Sequence, residues 1–123
     1  MRIRAAALTA GVLVASCGGS SPSAPNPLPS NPNTFTVTAS GVSPKEMTVA
    51  PGTRVLFVNS DARPHDMASD PHPEHDLCRE LNLGTLNPGQ SRETLNLVTV
   101  RTCGFHDHDN PDNASLKGRI IVK

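Results

Sequence analysis

The sequence predicts an all-β domain, a two-sheet β-sandwich, on three observations. Apolar and polar residues alternate with period two over residues 34–40. Proline and glycine punctuate the chain at Pro51-Gly52 and Asn87-Pro88-Gly89. No stretch keeps helical periodicity over three turns. Short strands at regular spacing, separated by such turns, indicate a sandwich or a barrel.

The elements follow in chain order. Phe35, Val37 and Ala39 share one face, with Thr34, Thr36, Thr38 and Ser40 on the other, which is the pattern of a half-buried strand. Met47-Thr48-Val49 makes a second short strand. Pro51-Gly52 suits a tight turn, with proline at the fixed φ and glycine at the positive one. Val55-Leu56-Phe57-Val58 is a continuous apolar run, the mark of a central strand. After the Asn87-Pro88-Gly89 turn, Leu95 and Leu97 keep period two while Val98 and Val100 shift phase, which predicts a bulge or a sharp connection. Residues 118–122 form the last strand. Residues 66–86 show no pattern, and a loop that long in a small domain is usually functional or poorly ordered.

The first residues set the compartment. Arg2 and Arg4 precede an apolar run over residues 5–15, too short to span a bilayer but long enough for a signal peptide. Val14-Ala15-Ser16-Cys17 resembles the bacterial lipobox, in which the cysteine is lipidated after cleavage. Residues 1–16 are then the signal peptide. Residues 17–33 are the lipidated cysteine and a Gly/Ser/Pro linker too poor in apolar side chains to fold. Residues 34–123 are one small domain. The expected location is the cell envelope, on the periplasmic or extracellular face, anchored to a membrane by lipid.

Composition excludes several functions. Without Arg2 and Arg4, nine cationic residues face eleven carboxylates, and there is no basic stripe. Three phenylalanines without Trp or Tyr make a poor stacking platform, so no nucleic-acid partner is expected. No Gly-x-Ser-x-Gly appears, and no enzymatic activity is expected. The run Asp107-His108-Asp109-Asn110-Pro111-Asp112 carries oxygen ligands but lacks the glycine and distal glutamate of an EF-hand.

The chemistry gathers in two places. One holds His65, His72, His75 and Cys78; the other is Cys103-Gly104-Phe105-His106-Asp107-His108. Thiolate and imidazole together suit copper, zinc or iron. His72 and His75 read equally well as solvated loop residues. His65 and His106 each sit at a strand end beside other candidate ligands.

These segments resemble the cupredoxin, or blue copper, family. Asn59-Ser60-Asp61-Ala62-Arg63-Pro64-His65 after an apolar strand is similar to the family's first-histidine loop. Asn87-Pro88-Gly89, a strand and then Cys103-Gly104-Phe105-His106 resemble the second ligand loop. Leu116-Lys117-Gly118-Arg119-Ile120 resembles the closing stretch of plastocyanin-like members, and the likeness spans residues 35–122. The resemblance implies a Greek-key sandwich and one type 1 copper bound by His65, Cys103 and His106, used for electron transfer to an unidentified redox partner.

Three departures stand beside it. Leu116 occupies the place of the axial methionine, so the site is three-coordinate or is completed by His108 or a backbone carbonyl; Met47 and Met67 lie outside that loop. Asp66 follows the first histidine where the family commonly has asparagine. Cys78 is the third, because two envelope cysteines left after lipidation of Cys17 tend to pair. Two copper readings therefore stand open. One is an electron carrier with a free Cys103 thiolate. The other is a non-redox copper-binding or buffering protein with a Cys78–Cys103 disulfide and a histidine-only site drawn from His65, His72, His75, His106 and His108. A metal-free interaction module on the same fold is the third reading.

Overall fold

The computed structural model describes residues 31–123 and, ahead of them, Gly11. The expected signal peptide, the lipidation site Cys17 and the linker up to residue 30 lie outside the described residues, Gly11 apart.

Nine strands are described: β1 (Thr34–Thr38), β2 (Gly41–Ser43), β3 (Glu46–Val49), β4 (Leu56–Asn59), β5 (His65–Ser69), β6 (Gly84–Leu86), β7 (Ser91–Glu93), β8 (Arg101–Asp107) and β9 (Gly118–Val122). One sheet runs β2-β1-β4-β7 and the other β3-β9-β8-β5-β6. β1 pairs with β4 and β3 with β9 in parallel, and the remaining pairs are antiparallel. The two mixed sheets form the expected sandwich.

Period two explains the core. Phe35 and Val37 on β1 and Phe57 on β4 are fully buried, and Phe105 on β8 meets them from the other sheet. Phe35 stacks on Phe57 at 5.1 Å, while Phe105 stands edge-on to them at 4.9 and 5.0 Å. Each such pair contributes about 0.5–1.5 kcal/mol beyond its buried area. All the aromatic residues of Phe, Tyr and Trp type in the chain are in this one cluster. Gly118 lies beside it: a Cβ there would stand 2.5 Å from the Phe105 ring and 2.9 Å from the Lys45 carbonyl. Gly52 and Gly89 take positive φ in the two turns, as expected.

Two expectations require correction. The strand after the second turn is β7 at Ser91–Glu93, not the apolar run that follows it. The Thr94 hydroxyl accepts from the Val55 N–H and Leu97 forms a single bridge to Thr53, while Leu95, Val98 and Val100 are exposed. Residues 66–86 hold two strands rather than a long loop. β5 was hidden because its inward positions are His65, Met67 and Ser69, of which only one is apolar.

Candidate metal centre

β5 and β8 decide which side each candidate ligand faces. Met67 pairs with Asp107, Ala68 with His106 and Ser69 with Phe105. Directly opposed residues share a face, so Met67, Phe105 and Asp107 point into the core with His65 and Cys103, while His106 points out. Cys103 and His106, three apart on one strand, lie on opposite faces.

The inward histidine is held by carboxylates. His65, 2% exposed, places Nδ1 2.7 Å from Asp107 Oδ2 and Nε2 2.9 Å from Asp61 Oδ2. Both ring nitrogens are therefore engaged by carboxylate oxygens. The His65 hydrogen bond chiefly holds Asp61 below the ordinary carboxylate range, against burial and with help from the Ala62 N–H and Arg63. Burial alone would raise Asp107. The hydrogen bonds from His65, from the Asp66 and Asp109 N–H groups and from Asn110 outweigh it and hold Asp107 low.

Cys103 is bonded to Cys78, with the Cα atoms 5.8 Å apart and both residues fully buried. The expected trio of His65, Cys103 and His106 is therefore not assembled. Its thiolate is spent in the disulfide, both nitrogens of His65 are engaged, and His106 faces away. Leu116 packs in the core, as does Met67. A type 1 copper does not fit these residues.

The outward face brings other histidines together. Residues 70–78 fold over β8, and His72, His75, His106 and His108 each present a ring nitrogen within 4.8 Å of the others. Their rings pack at 4.8–5.5 Å between centroids. His106 is 2% exposed, and its Nδ1 lies 2.6 Å from Asp70 Oδ1. Its buried Nε2 has no hydrogen-bond partner. The carboxylate fixes the tautomer, with the proton on Nδ1 and the electron pair on Nε2. His75 is set in the same way: Nδ1 donates to the Ser69 carbonyl at 2.8 Å, and Nε2 meets His108 Nδ1 at 2.8 Å. His72, on the exposed rim of the cluster, is held below the ordinary histidine range by partial desolvation first, then by His108, His75 and His106, with Asp112 opposing. Neutral imidazoles are what a metal needs.

Local sequence explains the assembly. The Ser69 hydroxyl accepts from the Cys78 N–H and the Asn82 amide from the Ser69 N–H, which closes the loop carrying His72 and His75. Gly104 leaves room beside His106, since a Cβ there would collide with the Asp70 carboxylate. One cleft, lined by Asp70, His72, His106, Pro111, Asp112 and Lys117, gives access from one side, and a second, reaching His75 and His108, from another. Of the expected ligands, His106 and His108 belong to the cluster, His65 and Cys103 do not, and His72 and His75 join it. Sequence carried one signal for that change: five histidines in two segments, with a cysteine three residues past His75 and another three before His106.

No family model and no curated protein matches the chain. Solved structures do. The chain is similar to a purple cupredoxin from Nitrosopumilus maritimus, with 19% identity, TM-score 0.61, and 73% of this chain and 98% of that one covered. It is similar to the oxidized plastocyanin from Dryopteris crassirhizoma at 21% identity and TM-score 0.54, covering 73% and 99%. A Cu(I) form of an amicyanin mutant matches at 18% identity and TM-score 0.54, covering 73% and 80%. The fold is cupredoxin-like.

Proposed function

We propose that this protein binds one copper ion in the cluster of His72, His75, His106 and His108, as a non-redox copper-binding or copper-buffering protein tethered to the cell envelope through Cys17. The observation that carries this reading is the buried, unpartnered Nε2 of His106, aimed into three further imidazoles and backed by Asp70. A buried nitrogen without a partner costs about 1–3 kcal/mol, and a bound ion removes that cost.

Donor chemistry favours copper. Among divalent first-row ions, Cu(II) heads the affinity order for nitrogen sites. The amicyanin neighbour is described in a Cu(I) form, in keeping with copper on this fold. No thiolate is available while Cys78 and Cys103 are paired, which removes the soft donor that a blue electron carrier uses. The lipobox-like Val14-Ala15-Ser16-Cys17 supports the tether.

Titration of the full chain with Cu(II), Zn(II) and Ni(II) tests this. One Cu(II) per chain is expected, bound most tightly of the three, with little colour and with affinity falling in acid, because ligation needs neutral imidazole. His75→Ala with His106→Ala together abolish binding. Stoichiometric copper on that double variant sinks the reading.

A further inference from the structure

The position at which the fold family places its first copper-binding histidine holds no ligand in this chain, and the side chain there has a different task. We propose that His65 is a positioning residue for the outward metal site, a buried imidazole that clamps the turn carrying His108. This inference rests on the four-histidine reading of the site.

The link is Asp107. Its carboxylate, fully buried, takes four hydrogen bonds: Oδ2 from His65 Nδ1 at 2.7 Å and Asn110 Nδ2 at 3.3 Å, Oδ1 from the N–H groups of Asp66 at 3.1 Å and Asp109 at 3.0 Å. Two of those donors belong to the turn just after β8, and the Asn110 N–H returns to the Asp107 carbonyl. His108 sits inside that turn, its N–H bonded to the Asp66 carbonyl at 2.7 Å. Its ring is exposed and touches His75, with no carboxylate behind it such as Asp70 provides for His106. His108 is thus aimed by its backbone, and its backbone is aimed by Asp107.

A buried carboxylate keeps such a role only while its oxygens are hydrogen-bonded. His65 makes the shortest of those contacts, and Asp61 anchors its other nitrogen. Asp61 is itself held by the Asn59 side chain, which also bonds the carbonyls of Arg63 and Leu86. The chain of contacts therefore runs from the rigid end of β4 through Asp61, His65 and Asp107 to His108. Its inner half lies on the core face of the sheet and its outer end on the metal face.

The test is a double-mutant cycle on Cu(II) affinity in the full chain, read with Cu(II) EPR for the number of coordinating nitrogens. Outer-sphere partners of metal ligands typically change affinity about 10–100-fold, and His65→Leu is expected to weaken binding by that factor and to remove one nitrogen from the spectrum. In a His108→Ala background His65→Leu costs little more; in a His72→Ala background it costs its full factor. Asp61→Asn, which leaves Asp107 and every ligand in place, gives a smaller loss with the same pattern and serves if His65→Leu does not fold. Amide exchange in the metal-free chain provides a readout without copper: Asp109 and Asn110 exchange faster in both variants, while the disulfide-held segment around Cys78 does not. An unchanged EPR spectrum and affinity, or a loss that adds fully to His108→Ala, overturns the inference. If the unaltered chain binds no Cu(II), the four-histidine reading has failed instead, and unaltered exchange at Asp109 and Asn110 overturns the clamp separately.

Discussion

Asp70 Oδ1 lies 2.6 Å from His106 Nδ1, so the proton of this buried imidazole points away from the cluster and its electron pair points in. The carboxylate fixes the tautomer and the orientation of the ring. Asp70→Ala should therefore weaken Cu(II) binding by about 10–100-fold while leaving the stoichiometry at one. Gly104→Ala should act in the same direction, because its Cβ displaces that carboxylate. Isothermal titration of both variants checks this. A Gly104→Ala protein of unchanged affinity would separate Asp70 from the metal.

Cys78 and Cys103 join the loop bearing His72 and His75 to the strand bearing His106. A proteolytic digest without reductant should yield the two cysteine peptides cross-linked. The paired substitution Cys78→Ser and Cys103→Ser should lower stability by about 2–5 kcal/mol, a fall in Tm of about 10 °C or more. It should also weaken copper binding, since the loop is then held by hydrogen bonds alone. Copper added to the unreduced protein should give no intense sulfur-to-copper band. A blue solution would restore Cys103 as a ligand.

Acid should unfold the protein through the pair of aspartates on His65. Both carboxyls sit below the ordinary value of 3.8 in the folded chain. The unfolded chain takes up these protons first. Their stabilisation is therefore fully present above the ordinary value and is lost as pH falls through and below it. Thermal melts should change little down to about pH 5 and then fall steeply towards about pH 2. Asp61→Asn should start from a lower Tm and fall less steeply. A variant that loses Tm in parallel with the parent across that range would exclude the pair as the origin.

The proposed membrane attachment through Cys17 has its own test. The native protein should partition into detergent and carry added mass at that residue, and Cys17→Ser should leave an unprocessed or soluble form. Recovery of the unaltered chain in the aqueous phase, without added mass at Cys17, removes the anchor from the proposal.

Much of the fold was legible because its strongest strands are patterned by composition. β1 alternates, β4 grows out of the continuous apolar run Val55–Val58, and the turns carry glycine where φ is positive. β5 and β8 were less legible because buried polar side chains occupy their inward positions: His65 and Ser69 on one, Asp107 on the other. Apolar periodicity cannot register a strand whose core-facing residues are satisfied by hydrogen bonds instead. The opposite error occurred at Leu95, Val98 and Val100, whose apolar side chains lie in an exposed loop once β7 has ended at Glu93.

By itself, the sequence determined the class of the domain and the donors available to a metal: five histidines in two segments, each with a cysteine close by. Which donors meet was decided only by the tertiary structure. The reason is the length of β8. A strand ending at Cys103 would have left Cys103 and His106 free to share a loop, but β8 continues to Asp107 in register with β5. The pleat then sends residues at odd separation to opposite faces. Cys103 turns inward to Cys78, His65 turns inward to Asp107, and His106 turns outward to meet His72, His75 and His108.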